Sequence, residues 1–529
     1  MSPQDYLALL MFAFACIGLM SGYNVAFTLG GVSLIFAAIG TLTGHFDPGI
    51  LLALPGGRIF PIVTRDILLA VPLFVFMGVM LEKSRIAEDL LEAMGDLFGN
   101  LRGGLGISVI LVGALLAAST GIVGATVVTM GLLSLPTMLK RGYAPSLASG
   151  AIAASGTLGQ IIPPSIVLVI LGDQLSNAYQ EAQRSHGLVS DSVISVGDLF
   201  AGALLPGLLL VACYALYIAV IAALKPAMAP ASPWEEGVQL KSFIKQTLSA
   251  MLPPMLLIIA VLGSILSGYA TPTRGAALGA LGAILLAGYK LADNNPSLKR
   301  FILVATLALL AIICIDLTGV DIRFNQDVWM LNERIAVSGA LLFSGVAILG
   351  VCAALFWLGR HGQLSEVSRS TMHITSMVFV ILIGATMFSL VFRGFGGDEL
   401  VARALAAAPG GTTGAFILVM VVMFFLGFFL DFIEITFVIV PLVAPPLLAT
   451  GMDPVWLGIL MALNLQTSFL TPPFGFALFY LRGVAPPEVT TTALYKGVLP
   501  FIGIQIFVIL LVAFIPEIAT SLPRVMGRG

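Results

Sequence analysis

Apolar runs long enough to cross a bilayer recur along the whole chain and are separated by short polar connections. At about 1.5 Å of rise per residue, a helix of about 20 residues covers roughly 30 Å of hydrocarbon. The pattern therefore predicts an all-α polytopic membrane protein. The predicted single spans are residues 5–22, 24–44, 67–83, 199–224, 250–268, 275–291, 301–318, 335–358, 372–392 and 497–515.

Two apolar stretches are too long for one span, yet neither contains a polar loop that could lie outside the membrane. Residues 104–138 are interrupted only at 119–121, and residues 412–448 only at 431–434. We interpret each stretch as a helical hairpin that re-enters the membrane, because irregular backbone at membrane depth has to be covered by protein or water.

Two further apolar stretches, 146–172 and 455–482, each contain a double proline, and the sequence around them repeats at a constant offset of 309 residues. Because glycine and proline set backbone geometry, the two halves share a way of breaking helices. The chain is therefore predicted to contain two repeats, each with a hairpin and a broken transmembrane helix. The matched pairs are Pro136 and Pro445, Gly142 and Gly451, Pro145 and Pro454, Pro163 and Pro472, and Pro164 and Pro473.

A proline inside a helix removes an amide donor and frees the carbonyl one turn earlier, and lipid offers that carbonyl no water. Two breaks in register would place carbonyl oxygens and half-helix ends near the midplane of the membrane. Such groups bind a small cation and an anion respectively. The alternative is that each double proline only kinks a packed helix.

Small neutral residues accompany both double prolines. A desolvated sodium ion takes about five or six hard oxygen ligands, whereas a cage of carboxylates favours divalent ions. The hydroxyl and carbonyl oxygens therefore predict a sodium site, although such hydroxyls also hold transmembrane helices together. The residues are Ser155, Gly156, Thr157, Gly159, Gln160 and Ser165 at the first break, and Asn464, Gln466, Thr467, Ser468 and Thr471 at the second.

Ionisable residues are scarce: 10% of the chain is charged and 59% is hydrophobic, whereas soluble proteins are about 25% charged. An ionised Asp431 in the middle of a hairpin costs about 2.5 to 3.5 kcal/mol on insertion scales, so a nearby cation would stabilise it. Arg393 is a candidate contact for an anionic substrate. The alternatives are that it ends a span at the interface or pairs with a carboxylate.

Other functional classes lack their sequence signals. The net charge of −2 and the scattered basic residues disfavour a nucleic-acid partner. No GxxxxGK[ST] motif of an ATP-driven pump occurs, and no GxSxG or HExxH motif of a hydrolase. We therefore do not expect an enzyme. A passive channel stays open as an alternative, because broken helices can also line pores, as does a carrier that works without a binding protein.

Motifs along most of the chain resemble the large membrane subunit, DctM type, of the tripartite ATP-independent periplasmic (TRAP) transporters. The IIPPS and TPPFG blocks are the most specific of them, because they recur in the expected order and spacing. The motifs are PLFVFMG at 72–78, RGGLG at 102–106, ASTG at 118–121, KRGYAP at 140–145, IIPPS at 161–165, LFAGALLPG at 199–207, GFFLD at 427–431 and TPPFG at 471–475.

The resemblance implies two inverted repeats that form a mobile transport domain, carried past a scaffold in an elevator-like motion and related to the ion-transporter superfamily. It also implies sodium as the coupling ion, with no organic cofactor, and a multi-pass location in the bacterial inner membrane. The implied partners are a small four-helix membrane subunit of DctQ type, a periplasmic substrate-binding protein of DctP type, and an organic-acid substrate.

Carried onto this chain, the resemblance divides it into residues 1–66, an N-terminal scaffold; 67–225, the first repeat; 226–371, a central scaffold; and 372–529, the second repeat and last span. Two features depart from the common form: the polar insert at 176–198, which is expected in water, and an extra apolar pair between about 300 and 360.

The resemblance also assigns site residues. The hairpin tips would be residues 119–121 and 431–436. The sodium ligands would be Ser155, Gly156, Thr157, Pro163, Asp431, Asn464, Thr467 and Pro472. The substrate contacts would be Ser119, Thr120, Gly121, Ser165, Arg393 and Thr471.

Overall fold

The computed structural model describes residues 2–52, 54–84, 86–185, 187, 194–231, 240–318, 320 and 331–527. In these ranges all regular secondary structure is helical. Nine of the described helices are long and apolar enough to cross a membrane, or ten if the bent pair Pro55–Val63 and Asp66–Lys83 counts as one span. The prediction of an all-α polytopic membrane protein is confirmed.

The α-helices are numbered in chain order, and short 3₁₀ and π turns link some of them. The first eleven are α1 (Pro3–Met20), α2 (Val25–Leu42), α3 (Gly49–Leu52), α4 (Phe60–Val63), α5 (Ala70–Lys83), α6 (Ile86–Phe98), α7 (Gly104–Thr120), α8 (Val123–Lys140), α9 (Pro145–Thr157), α10 (Ile166–Ser185) and α11 (Val196–Leu224). The others are α12 (Leu240–Leu266), α13 (Pro272–Leu291), α14 (Pro296–Leu317), α15 (Leu331–Arg360), α16 (Gln363–Gly394), α17 (Gly397–Ala406), α18 (Gly411–Leu426), α19 (Phe432–Val438), α20 (Val440–Leu448), α21 (Pro454–Leu470), α22 (Phe476–Val484), α23 (Thr491–Phe514) and α24 (Glu517–Val525).

The first hairpin consists of α7 and α8, which are joined by Gly121 and Ile122. Gly121 has φ of 60°, a left-handed conformation that glycine adopts without a steric penalty. The tip lies inside the protein: a Cβ on Gly78 of α5 would come within 2.5 Å of the Cα of Thr120. The hairpin therefore ends against another helix rather than in a surface loop.

The second hairpin turns earlier in the chain than the resemblance implies. Its turn occupies residues 427–431, between α18 and α19, whereas residues 432–436 are helical. Asp431 accounts for the difference, because it caps the N-terminus of α19 and so begins a helix. The tip of this hairpin is therefore the GFFLD segment.

Both double prolines interrupt their helices. Helix α9 ends at Thr157, a 3₁₀ turn follows at Leu158–Gln160, and α10 begins only at Ile166. Helix α21 ends at Leu470, and α22 begins at Phe476. The repeat extends to the preceding turns, where Gly142 and Gly451 have φ of 81° and 88°. The two segments are therefore interrupted in the same way. They are not continuous helices with a kink at the double proline.

The helices form two packed groups. The core group comprises α9, α10, α11, α20, α21 and α23. The frame group comprises α2, α5, α13 and α16, and α14 and α15 pack on each other and against α13. The first hairpin contacts both groups, through α5 on one side and α9 on the other. The extra apolar pair is thus an addition to the frame group.

The polar insert begins as helix rather than as loop. Helix α10 continues to Ser185, so residues 176–185 belong to it and pack in part on the rest of the protein. Residues 186 and 188–193 of the insert lie outside the described residues. The first ten residues of the insert are therefore a partly packed continuation of α10, and the location of the insert in water stays a prediction.

Glycines allow α9 and α23 to touch backbone to backbone. A Cβ on Gly497 would overlap the carbonyl oxygen of Ser146, and a Cβ on Gly150 would overlap the carbonyl oxygen of Gly497. These two helices also belong to different repeats. The contact therefore sets how closely the repeats approach.

We expect Gly497→Ala to lower the thermal unfolding temperature of the purified chain in detergent. Overpacking costs about 1–3 kcal/mol, which exceeds the gain of about 1 kcal/mol in helix propensity. Gly503→Ala is the matched control, because Gly503 lies on the same helix with nothing within 4 Å of an added Cβ. Equal unfolding temperatures for the two variants would contradict the close contact.

Candidate functional site

The first break exposes a run of unpaired backbone carbonyls inside the protein. Within the described residues, no hydrogen-bond donor reaches the carbonyl oxygens of Ile161, Ile162, Pro163 or Pro164. Four of the five residues from 161 to 165 are fully buried, and Ile162 is half-buried. Unpaired carbonyls in such surroundings are costly unless a ligand or water satisfies them, so this segment has the chemistry of a cation site.

The second break repeats this feature with more exposure. The carbonyl of Pro473 accepts a hydrogen bond from Tyr495 Oη at 3.3 Å, whereas no donor in the described part of the chain reaches those of Pro472 and Phe474. Phe474 is 43% exposed, and its ring packs on Phe428 and Phe429 of the second hairpin tip. Both breaks therefore have unpaired carbonyls, but the residues of the second break are more exposed than those of the first.

The predicted hydroxyl residues donate their protons to their own helices. Such a bond leaves oxygen lone pairs available to a cation. This arrangement is compatible with the predicted sodium ligands, and equally with helix packing. The bonds run from Ser119 to Leu116, Ser155 to Ile152, Thr157 to Ala154, Ser165 to Gln160, Thr467 to Leu463 and Thr471 to Thr467, at 2.7 to 3.0 Å.

The first hairpin tip lies against the first break. Ser119 and Thr120 are each only 4% exposed, and Thr120 shares a 2.8 Å hydrogen bond with Thr126 across the turn. A Cβ on Gly121 would lie 3.3 Å from the backbone nitrogen of Ile166, the first residue of α10. The tip and the start of α10 are therefore brought together, as the sequence assignments require.

Glycine and proline complete the first group of predicted residues. Gly156 faces α8, where a Cβ would overlap the side chain of Val127, so only glycine allows this approach. Pro163 lies in the break itself and contributes one of the unpaired carbonyls. Both positions act through the backbone rather than through a side chain.

Asp431 makes its hydrogen bonds with neighbouring residues at the start of α19. Its Oδ1 accepts a 2.7 Å hydrogen bond from the backbone nitrogen of Phe432, and Glu434 Oε2 accepts one of 3.0 Å from the backbone nitrogen of Asp431. Two carboxylates thus lie at one helix N-terminus, where the helix dipole favours negative charge. No cluster of three or more His, Cys, Asp or Glu side chains that could hold a metal occurs in the described ranges.

Asn464 joins the second broken helix to the second hairpin. Its Nδ2 donates a 2.7 Å hydrogen bond to the carbonyl oxygen of Met420 on α18. Where the chain turns after α18, Gly427 lies so close to Ser468 of α21 that a Cβ would overlap its hydroxyl. The second hairpin and α21 are therefore held in contact, as the first hairpin and α9 are.

Equivalent positions of the two repeats meet in the core. Gln466 lies 309 residues after Thr157, which is the repeat offset, and its Nε2 donates to Thr157 Oγ1 at 3.4 Å. Gln505 Nε2 of α23 donates to the same oxygen at 3.5 Å. Residues at equivalent positions of the two repeats are therefore in direct contact within a buried polar cluster.

Arg393 lies apart from the other predicted site residues, in the wall of a cavity of about 570 Å³ between the frame and core groups. Arg393 binds Glu181 of α10 through two hydrogen bonds of 2.8 and 3.0 Å. Arg58, Arg65 and Arg184 also line this cavity. None of the other predicted site residues is among its lining residues.

A second ion pair joins the same two groups. Arg65 Nη1 lies 3.1 Å from both carboxylate oxygens of Asp173, two helical turns before Glu181 on α10. The sequence analysis missed Asp173 and Glu181, since Glu181 was assigned to the polar insert. The spacing of Asp173, Asn177 and Glu181 at intervals of four is the signal that could have found them, because it puts them on one helix face.

We expect Thr157→Val to destabilise the chain by about 1–3 kcal/mol for each amide left without its acceptor. Thermal unfolding of the purified chain in detergent measures the effect. Thr137→Val is the matched control, because Thr137 donates only to Leu133 of its own helix. An unfolding temperature for Thr157→Val no lower than that of the control would contradict the role of the cluster.

The chain was compared with known proteins. A curated relative, the C4-dicarboxylate TRAP transporter large permease protein DctM of Vibrio cholerae serotype O1, is 26% identical over 515 residues, covering 96% of each chain. The sialic acid TRAP transporter large permease protein SiaM of the same organism is 25% identical and covers 98% of this chain and 99% of that one.

A longer relative, the isethionate TRAP transporter permease protein DctMQ of Oleidesulfovibrio alaskensis, is 25% identical; the match covers 96% of this chain and 65% of that protein. The profile of the family described as "Tripartite ATP-independent periplasmic transporter, DctM component" matches residues 9–356 and 335–518. Those matches extend over nearly the whole chain, both hairpins and both breaks included. The chain is therefore a multi-pass membrane protein and belongs to the DctM family of TRAP transporter large permeases, a transporter family and not an enzyme family.

Proposed function

We propose that this chain couples the inward movement of sodium to the uptake of a small organic anion. The observation that supports this most directly is the pair of breaks, which leave backbone carbonyls unpaired at equivalent positions of both repeats. Backbone carbonyls and hydroxyl oxygens carry little net charge and suit a monovalent hard cation. Sodium would bind at each break, with Ser155, Gly156, Thr157 and Pro163 at one and Asn464, Thr467, Pro472 and Asp431 at the other.

Coupling to a cation follows from the electrical work. Each charge that crosses about 100 mV costs or yields about 2.3 kcal/mol. A dianion entering a negative interior therefore costs about 4.6 kcal/mol, and two sodium ions would cancel that cost. Accumulation of the dianion would then depend on the sodium concentration gradient alone. A third sodium ion would carry net positive charge inward, so the membrane voltage would also drive uptake.

The substrate we propose is a carboxylate or dicarboxylate. Four arginines and one glutamate line the cavity between the frame and core groups, an excess of positive charge that attracts anions. The relatives named for C4-dicarboxylates and sialic acid match over nearly their whole length. Arg393 is the proposed substrate contact in this cavity, and the proposed contacts outside its lining are Ser119, Thr120, Gly121, Ser165 and Thr471.

The motion we propose is a displacement of the core group past the frame group. The two groups meet across a cavity and through two ion pairs, in addition to apolar contacts such as that between Phe74 and Phe200. Polar interfaces of this kind exchange their contacts for water at low cost. Under this proposal the repeats, 67–225 and 372–529, supply most of the moving part, and 1–66 and 226–371 the fixed part.

The partners we propose are those of a tripartite system: a small four-helix membrane subunit and a periplasmic binding protein. The relative named DctMQ supports the first, because its sequence exceeds the matched region by about a third of its length. The binding protein would deliver the substrate and make most of the selection among organic acids.

We expect uptake of radiolabelled succinate into proteoliposomes to require an inward sodium gradient and to show counterflow. The proteoliposomes would contain this chain with its small subunit and binding protein. A carrier alternates between two states, so preloaded unlabelled substrate accelerates entry of the label, whereas an open channel gives no such acceleration. Uptake that is equal with potassium in place of sodium would contradict the coupling.

We expect Asp431→Asn and Asn464→Ala each to raise the sodium concentration for half-maximal uptake by about tenfold, the loss of about 1.4 kcal/mol of cation binding. Asparagine still caps a helix, so Asp431→Asn removes the charge while keeping the fold. Asp453→Asn is the matched control, because Asp453 caps α21 at an exposed position. Wild-type sodium dependence in both site variants would contradict the assignment.

A further inference from the structure

The ion pair between Arg393 and Glu181 joins α16 of the frame group to α10 of the core group. It is bidentate, with Nη1 to Oε1 at 2.8 Å and Nη2 to Oε2 at 3.0 Å. The Arg393 side chain is 32% exposed and that of Glu181 45% exposed, because both face the cavity. A paired, fork-to-fork contact of this kind is also how arginine binds the carboxylate of a ligand.

The guanidinium of Arg393 has more binding capacity than Glu181 uses. Its Nη2 also lies 3.4 Å from the carbonyl oxygen of Pro441 on α20, and its Nε is buried without a partner in the described part of the chain. The cavity beside it has room for a small organic acid. A carboxylate that enters the cavity therefore meets an arginine already held in a receiving orientation.

We propose that Glu181 is an internal stand-in for the substrate, and that a carboxylate of the substrate replaces it on Arg393. The exchange substitutes one Arg–carboxylate pair for another and creates no unpaired buried charge. It also frees α10 from α16, so substrate binding removes a contact between the two groups. This inference rests on the proposed function and identifies the substrate group recognised by Arg393 as a carboxylate.

The ion pair of Arg65 and Asp173 lacks the exposure of the carboxylate that an exchange with substrate requires. The side chain of Asp173 is 9% exposed and does not line the cavity. It also accepts a 3.0 Å hydrogen bond from Gln174 Nε2, in addition to its bonds with Arg65. An anion in the cavity cannot reach the place of Asp173. The pair of Arg65 and Asp173 is therefore a fixed contact and offers a charge-matched control on the same helix face.

The measurement is a thermal-unfolding titration of the purified full chain in detergent with succinate, at constant sodium and ionic strength. A partly exposed ion pair contributes up to about 1 kcal/mol, so removing the competitor should lower the half-saturating succinate concentration by about fivefold. We expect this decrease of about fivefold for Glu181→Gln. We also expect it for Glu181→Asp, because the shorter side chain keeps the charge but is too short to contact Arg393.

Asp173→Asn removes the same negative charge from α10, and we expect its half-saturating concentration to stay within about twofold of wild type. Arg393→Gln should abolish the succinate-dependent shift, both alone and combined with Glu181→Gln. An unchanged half-saturating concentration in Glu181→Gln, an equal gain in Asp173→Asn, or a persisting shift in Arg393→Gln would each overturn the exchange. So would the absence of any shift in Glu181→Gln, whose arginine is free to take the added carboxylate.

A failure of the proposed function can be distinguished from a failure of the carboxylate exchange. Uptake that does not depend on sodium would contradict the coupling while leaving the succinate titration unaffected. Sodium-driven uptake with a wild-type titration for Glu181→Gln would overturn the exchange and leave the carrier in place.

Discussion

The structure depends on one constraint: backbone polar groups at membrane depth must have partners, because lipid provides none. The helices are interrupted at the two double prolines, where carbonyls are left without donors in the described part of the chain. The first break is covered by protein and the second partly by phenylalanine rings. The carbonyls of the first break are buried and those of the second are partly exposed, and the cation that we propose would satisfy both sets.

Close contacts between helices hold these breaks in place. Glycine at Gly150 and Gly497 lets α9 touch α23, and glycine at Gly78 lets α5 touch the first hairpin tip. Thr157, Gln466 and Gln505 then join the two halves of the chain through a buried polar cluster. Packing of this kind has few alternative arrangements, so each break keeps its position relative to its hairpin.

Two ion pairs of α10 lie beside the cavity between the groups. Neutral oxygens accompany the two breaks, whereas four arginines and Glu181 line the cavity between α10 and α16. Ion pairs that are partly exposed are weak and can be replaced, unlike buried hydrogen bonds of the core. Under the proposed function these features would serve two tasks: neutral oxygens would bind a cation in the core group, and exchangeable charges would meet an anion between the groups.

The sequence by itself determined the helical class, the spans and the two breaks, because hydropathy, helix length and proline chemistry are local properties. The 309-residue offset was evident from the glycines and prolines, and Thr157 and Gln466 lie at the same offset. Only the tertiary structure decided that these equivalents touch, that Asp431 begins a helix, and that Arg393 pairs with Glu181. Contacts between residues far apart in the chain depend on how helices approach one another, and no local pattern encodes that geometry. The polar face of α10 is an example. Its composition is that of a solvated insert, but in the fold it faces α16 and pairs with Arg393.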